Sequence, residues 1–142
     1  MNGELIRPLR LADTLACVAL FRYVLAEIEP ERAGARRRAG AFARETTGER
    51  VWVAELDRRV VGLVSLWPRP PFVHFLLVSP EARGRGLGAA LLDRVHHHVG
   101  GPVELKCRPE NRAARAFYER HGWRAVAQPG DEAPPFILYR HD

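Results

Sequence analysis

Residues 78–89 read VSPEARGRGLGA and lie between an apolar run and a segment with helical periodicity, which indicates a strand-to-helix turn. The first backbone N–H groups of a helix have no intrahelical partner and carry partial positive charge. Three alternating glycines leave these groups free of side chains, and two arginines that alternate with them add full positive charge. The turn therefore predicts a phosphate site, and a diphosphate would use both the amides and the arginines.

The residues around this turn disfavour two well-known phosphate-binding motifs. A P-loop needs a lysine followed by serine or threonine, but the sole lysine, Lys106, precedes Cys107. A dinucleotide-binding turn could use Gly84, Gly86 and Ala89, but the next predicted strand ends in Lys-Cys-Arg rather than in an acidic residue. A turn that is glycine-rich only for close packing of strand and helix remains open.

Apolar periodicity on both sides of the turn predicts one α/β domain over residues 1–142. Residues 72–78, interrupted only by His74, predict a central strand covered on both faces. Residues 50–55 and 59–67 predict a hairpin. The other predicted elements are strands at 4–10, 103–107, 123–127 and 136–139, and helices from 11 to Pro30 and over 31–46, 87–99 and 111–121.

The composition is that of a globular protein, with 46% hydrophobic and 27% charged residues. No apolar run reaches the roughly 18 residues of a membrane span, and the start lacks a signal-peptide pattern, so we expect no membrane partner and a cytoplasmic location. The net charge of +5 comes from 22 basic residues with a single lysine. This favours anionic ligands but is too small to favour a nucleic acid, so RNA binding is a minor alternative. We expect the Arg36-Arg37-Arg38 run to be a solvated face.

A second segment, residues 111–123, has its own geometry. On a helix, Asn111 and Tyr118 differ by only about 20° around the axis, so they share a face. Ala114 lies near that face and is small, which would let a thin ligand pass along the helix. Asn111 also follows Pro-Glu, where asparagine commonly caps a helix, and capping and ligand contact both stay open.

The two segments resemble the GNAT superfamily of acyl-CoA-dependent N-acetyltransferases. Residues 83–88 look like its Gln/Arg-x-x-Gly-x-Gly/Ala signature, and residues 111–123 resemble its second cofactor-contacting segment. The resemblance implies a mixed, mostly antiparallel sheet flanked by helices, with two splayed central strands. It implies an N-acetyltransferase that moves an acetyl group from acetyl-CoA to a primary amine by direct attack in a ternary complex, with no metal. The implied cofactor-binding residues are Leu76, Leu77, Val78, Arg83, Gly84, Arg85, Gly86, Leu87, Gly88, Ala89, Asn111, Ala114, Phe117 and Tyr118.

The same resemblance suggests the catalytic groups. Tyr118 corresponds to a tyrosine that can protonate the departing CoA thiolate. Family members often carry a glutamate on the central strand or the next one, whereas this chain has His74 and Lys106 there, so the general base stays open. His74 is the first candidate because imidazole titrates near neutrality, and Glu104 follows.

The acceptor is a small-molecule or peptide amine of open identity. Asp131 and Glu132 lie in the 128–135 loop, which is either a candidate lid or a stiff surface turn. Their carboxylates are further candidate bases and slightly favour cationic acceptors. Cys107 leaves an acyl-cysteine route open, although an inert strand cysteine is favoured.

Three consecutive histidines, residues 96–98, point about 100° apart on a helix and cannot converge on one metal ion. A non-catalytic acyl-CoA-binding regulatory module is the alternative function, motivated by Lys106, and exposed edge strands would allow a homodimer.

Overall fold

The chain folds around one seven-stranded sheet, and the computed structural model describes residues 4–128, 130–131 and 134–142. The strands are β1 (Glu4–Pro8), β2 (Arg50–Leu56), β3 (Arg59–Pro68), β4 (Pro71–Val78), β5 (Val103–Cys107), β6 (Arg124–Ala127) and β7 (Ile137–His141). The helices are α1 (Thr14–Ile28), α2 (Ala33–Arg36), α3 (Ala41–Glu45), α4 (Leu87–Val99) and α5 (Arg112–Arg120). The strand order is β1-β2-β3-β4-β5-β7-β6, and within the described ranges β4 and β5 form the one parallel pair. The predicted mixed, mostly antiparallel sheet is confirmed.

Helices cover both faces of the sheet, so the sheet is the middle layer. On one face, Phe21 of α1 packs with Leu63 and Phe75. On the other face, Leu91 of α4 packs with Val64 and with residues of β5 and β7. Burial of these apolar side chains supplies the main driving force for folding. The described residues contain no helix that is both long and apolar enough to cross a membrane.

Strand β4 carries a bulge at His74. Phe75 lies opposite Ser65, whereas Val73 lies opposite the next residue, Leu66, which leaves His74 without a partner on β3. The extra residue lets Val73 and Phe75, two positions apart, enter the core on opposite faces of the sheet. The prediction of a central strand covered on both faces is confirmed, and the bulge is a feature that its apolar composition did not predict.

Strands β4 and β5 diverge soon after they meet. Their ladder has two positions, Phe72 opposite Glu104 and Val73 opposite Leu105. Beyond Val73, β4 continues to Val78 paired with β3 alone. The predicted splay of the two central strands is confirmed, and it opens a cleft at the end of β4 where the glycine-rich turn begins.

The predicted helix over residues 31–46 is wrong, whereas the predicted hairpin is confirmed. Residues 31–46 are not one helix, because Gly40 takes a φ of +75°, a left-handed backbone conformation that interrupts a helix between α2 and α3. The predicted hairpin is confirmed, and its turn residues Asp57 and Arg58 both have positive φ, as a two-residue type I′ turn requires.

Candidate functional site

The cleft at the end of β4 widens into a groove of about 900 Å³ between the glycine-rich turn and α5. Twelve of the fourteen predicted cofactor-binding residues line it: Leu76, Val78, Arg83, Gly84, Gly86, Leu87, Gly88, Ala89, Asn111, Ala114, Phe117 and Tyr118. Leu77 does not; its side chain is buried in the core beneath α1, and the predicted contact of its backbone with the cofactor stays a prediction. Arg85 is exposed on the turn and is also absent from the groove lining. We refer to this space as the long groove.

The three glycines of the turn have two different structural roles. Gly84 and Gly86 both have a φ of +79°, and a Cβ added to either would meet no atom within 4 Å. Gly88 has ordinary backbone geometry, but an added Cβ would lie 3.2 Å from Cζ of Phe117. The first two glycines therefore set the backbone and keep the approach clear, whereas Gly88 lets α5 pack close to α4.

The start of α4 presents free backbone donors to the long groove. The first intrahelical bond runs from the Ala90 N–H to the Gly86 carbonyl at 3.0 Å, so the amides of residues 87–89 have no helical acceptor. Arg83 lies beside them, with its guanidinium donating to the Val78 carbonyl at 3.2 Å and to Glu27 at 3.2 Å. The helix start thus supplies partial positive charge for an anionic group at this end of the groove, and the charge of Arg83 is partly offset by its ion pair with Glu27.

Helix α5 forms the opposite wall. The Asn111 side chain caps it by accepting a hydrogen bond from the Ala114 N–H at 3.2 Å, so the capping prediction is confirmed. Asn111 also lines the groove, and its contact with a ligand stays a prediction. Phe117 lines the same wall and packs edge to face on Tyr118, with ring centroids 5.4 Å apart.

Tyr118 occupies the junction between two spaces. It lines the long groove and also a second pocket of about 350 Å³ on the α1 side of the β4–β5 cleft. Burial raises the pKa of its phenol, and the neighbouring Cys107 and Tyr139 raise it further. The hydroxyl therefore keeps its proton through the neutral pH range and is a donor rather than a base.

His74 lines the second pocket. Its Nδ1 is 2.6 Å from a carboxylate oxygen of Glu49, and its ring stacks on Phe75 at a centroid distance of 3.8 Å. The Glu49 side chain is only 5% exposed. Glu49 was missed in the sequence because it lies 25 residues from His74, in the turn before β2, and no motif joins the two.

The other candidate bases lie elsewhere. Glu104 lines neither space, and its carboxylate is 3.9 Å from the Arg140 guanidinium. Asp131 is exposed and also lines neither space, whereas Glu132 lies outside the described residues.

Sequence reasoning also missed a charged cluster in the second pocket. Arg36, expected to be solvated, is 2% exposed; its guanidinium lies 2.6 Å from Glu29 and about 5.7 Å from the centroid of the Phe21 ring. Arg108 is 9% exposed and binds Glu29 and Glu31. A buried guanidinium persists only with such partners, so the expectation for Arg36 was wrong.

Cys107 lines the second pocket as well, but burial raises the pKa of its thiol to about 11. A thiol in this state is a poor nucleophile at neutral pH, which disfavours the acyl-cysteine route.

In the part of the chain that the structure describes, no group of three or more histidine, cysteine, aspartate or glutamate side chains could hold a metal ion. Of the three histidines, His96 packs between Trp123 and His141, and burial lowers its pKa, so it stays neutral.

Comparison with known proteins places this geometry in context. A curated relative from Nocardia farcinica, named L-2,4-diaminobutyric acid acetyltransferase, is 39% identical over 108 residues, which cover 62% of this chain and 56% of that protein. The chain thus spans little more than half the length of that relative. Two solved structures share the fold over nearly their whole lengths. The GCN5-related N-acetyltransferase from Rhodopseudomonas palustris has a TM-score of 0.81 at 19% identity, covering 100% of this chain and 97% of that one. The PaiA N-acetyltransferase from Thermoplasma acidophilum, solved in complex with coenzyme A, has a TM-score of 0.78 at 15% identity and 98% coverage of both chains.

The family model decides the assignment. Residues 18–123, which include both motifs and the splayed strands, match the model described as the Acetyltransferase (GNAT) family. The chain therefore belongs to the GNAT family of acetyltransferases.

Proposed function

We propose that this chain transfers an acetyl group from acetyl-CoA to a primary amine, which attacks directly within a ternary complex. The observation that carries the proposal is the junction at Tyr118, where the long groove and the second pocket meet between β4 and β5. A donor in one space and an acceptor in the other would meet at that point. The structural relative solved with coenzyme A supports the choice of donor.

The long groove fits the parts of acetyl-CoA. Its diphosphate would accept hydrogen bonds from the free amides of residues 84–89, where Gly84 and Gly86 leave open space. Its pantetheine arm would lie in the cleft and pair with the backbone of residues 76–78, whose edge toward β5 is free of ladder partners. Acetyl-CoA supplies the activated thioester carbonyl.

Tyr118 at the junction and His74 in the second pocket divide the proton transfers. The amine must be neutral to attack, and an alkyl ammonium has a pKa near 10.4, so a base must take its proton. We assign this role to His74: with Nδ1–H donating to Glu49, the other ring nitrogen presents a free lone pair. As the amine forms the C–N bond and the C–S bond breaks, the Tyr118 hydroxyl protonates the departing thiolate. The attacking nitrogen loses its second proton through water to the Tyr118 phenolate, which restores the phenol, and His74 releases its proton to bulk water, so each turnover releases one proton.

The choice of acceptors to test follows from the site and from the relatives. The second pocket is small, and the Nocardia farcinica relative is named for a diamino acid, so small amines and amino acids form the first panel. Peptides with free N-termini form the second panel.

The proposal is tested by release of free thiol from acetyl-CoA with each amine, together with the mass of the acetylated product. We expect at least one acceptor to give one thiol for each acetyl group transferred. Tyr118→Phe should lower kcat by about 10²-fold or more while acetyl-CoA still raises the Tm. Tyr23→Phe is the matched control, since Tyr23 is 72% exposed on α1 and lines neither space.

One outcome contradicts the proposal. If acetyl-CoA raises the Tm but no amine in either panel releases thiol, the chain is the alternative, a non-catalytic acyl-CoA-binding regulatory module.

A further inference from the structure

More cationic than anionic side chains line the second pocket. Among the described residues, four cationic side chains line it but a single carboxylate does so, that of Glu29. The four cations are Arg32, Arg36, Lys106 and Arg108. An ordinary amine approaches as a cation, so this lining opposes it unless the molecule carries a compensating negative charge.

The single lining carboxylate is already engaged. One oxygen of Glu29 lies 2.6 Å from Arg36, and the other accepts a hydrogen bond from Arg108 at 3.2 Å. Arg36 has a second carboxylate, Glu45, at 3.7 Å, and Arg108 also binds Glu31. These two arginines are therefore compensated by the protein, and Glu29 is not free to receive a substrate ammonium group.

Lys106 and Arg32 remain uncompensated. Across the described ranges, neither forms an ion pair with a carboxylate. Lys106 lies on β5 with its ammonium 5.5 Å from the centroid of the Phe136 ring, and Arg32 lies in the turn after α1. Both are exposed, so an incoming molecule meets positive charge from two different elements of the same pocket.

The two compensated arginines keep some nitrogens without a hydrogen-bond partner. Nε of Arg108 and both Nε and Nη1 of Arg36 have no hydrogen-bond partner within the described chain. Both side chains are more than nine-tenths buried. These nitrogens are not accessible to a ligand, so the positive charge that an acceptor meets at the pocket surface is that of Lys106 and Arg32.

We propose that the second pocket selects acceptors that carry a carboxylate in addition to the reacting amine, with Lys106 and Arg32 binding that carboxylate. This inference rests on the proposed acetyl transfer and names its substrate class: small amino acids rather than simple amines or polyamines. It reverses the slight lean toward cationic acceptors drawn from Asp131, which is exposed and outside the pocket, and from Glu132.

The test uses pairs of acceptors that differ by one carboxylate. The pairs are 2,4-diaminobutyrate with 1,3-diaminopropane, ornithine with putrescine, and 4-aminobutyrate with propylamine. For each compound, kcat and KM are measured by thiol release at saturating acetyl-CoA. We expect the carboxylated member of at least one pair to have a kcat/KM higher by about tenfold or more, as a charge-assisted hydrogen bond provides.

The variant Lys106→Gln tests whether the charge of Lys106 binds the carboxylate of the acceptor. We expect it to raise the KM of the carboxylated acceptor by about tenfold, with kcat, the carboxylate-free member and the KM of acetyl-CoA all little changed. Arg38→Gln removes the same charge from an exposed position that lines neither space, and it should change none of these values.

Three results would overturn the inference. Equal kcat/KM values within every pair, with no effect of Lys106→Gln, would leave the acetyltransferase activity standing but remove the carboxylate selection. A rise in the KM of acetyl-CoA in Lys106→Gln would place Lys106 on the donor instead. Absence of thiol release with every amine tested, although acetyl-CoA raises the Tm, would overturn the proposed function and this inference together.

Discussion

The variant Gly86→Ala tests whether the glycine-rich turn binds the cofactor. Its matched control is Gly100→Ala, which introduces the same backbone strain at the other end of the same helix. Gly86 precedes α4 with a φ of +79°, and Gly100 follows α4 with a φ of +71°. A Cβ at either position would meet no atom within 4 Å. Alanine at each site therefore costs mainly the strain of a left-handed backbone, about 1–2 kcal/mol. At roughly 2–4 °C per kcal/mol for a domain near this size, both variants should lose a similar few degrees of Tm.

The two variants should differ in their affinity for acetyl-CoA. Gly86 lines the long groove and Gly100 does not. A methyl group at Gly86 would displace a diphosphate from amides whose charge-assisted bonds are worth about 1.5–3 kcal/mol each. Loss of one bond corresponds to a roughly tenfold to hundredfold rise in Kd. Titration calorimetry with acetyl-CoA measures this rise, and an equal Kd in both variants would refute a diphosphate site at the turn.

The remaining predictions concern the base, the cysteine and a buried ion pair. His74→Gln should lower kcat by about 10²-fold or more with unchanged acetyl-CoA affinity, measured by thiol release and calorimetry; wild-type kcat in this variant would remove His74 as the base. Cys107→Ala should keep wild-type turnover, because burial raises the pKa of the thiol to about 11; an acetylated Cys107 in the intact-mass spectrum of the wild type would contradict direct attack. Asp13, 7% exposed and 2.8 Å from Arg7, has its pKa lowered by the hydrogen bond from that guanidinium. Its contribution to stability is complete above the unfolded pKa near 3.9 and is lost as the pH falls through the lower folded value. Asp13→Asn should thus lower the free energy of unfolding by about 3–5 kcal/mol at pH 7, with a smaller difference from wild type at pH 3; urea denaturation at both pH values checks this, and an equal difference at both would contradict it.

The long groove was predictable from sequence because its parts are local. The turn at residues 83–89 and the face of α5 are each continuous in the chain, so glycine spacing and helical periodicity identify them without knowledge of the fold. The splay of β4 from β5 came from the family resemblance, whereas the bulge at His74 is visible only in the register with β3. An apolar run with one histidine has no feature that distinguishes a regular strand from a bulged one.

The second pocket was not predictable, because folding assembles it from distant segments. Glu29 follows α1, Arg36 ends α2, and Lys106 lies on β5, so no spacing in the sequence relates them. Arg36 also shows why a local pattern misleads. Within a run of three arginines it resembles a solvated side chain, yet Glu29 and the faces of two phenylalanine rings stabilise it in the interior.

A crystal structure of the chain with acetyl-CoA would show where the diphosphate and the thioester bind. We predict diphosphate oxygens at roughly 2.7–3.2 Å from amide nitrogens of residues 84–89, with the pantetheine arm between β4 and β5 and the thioester next to Tyr118. A diphosphate bound away from this turn, or a thioester that does not reach the junction of the two spaces, would contradict it.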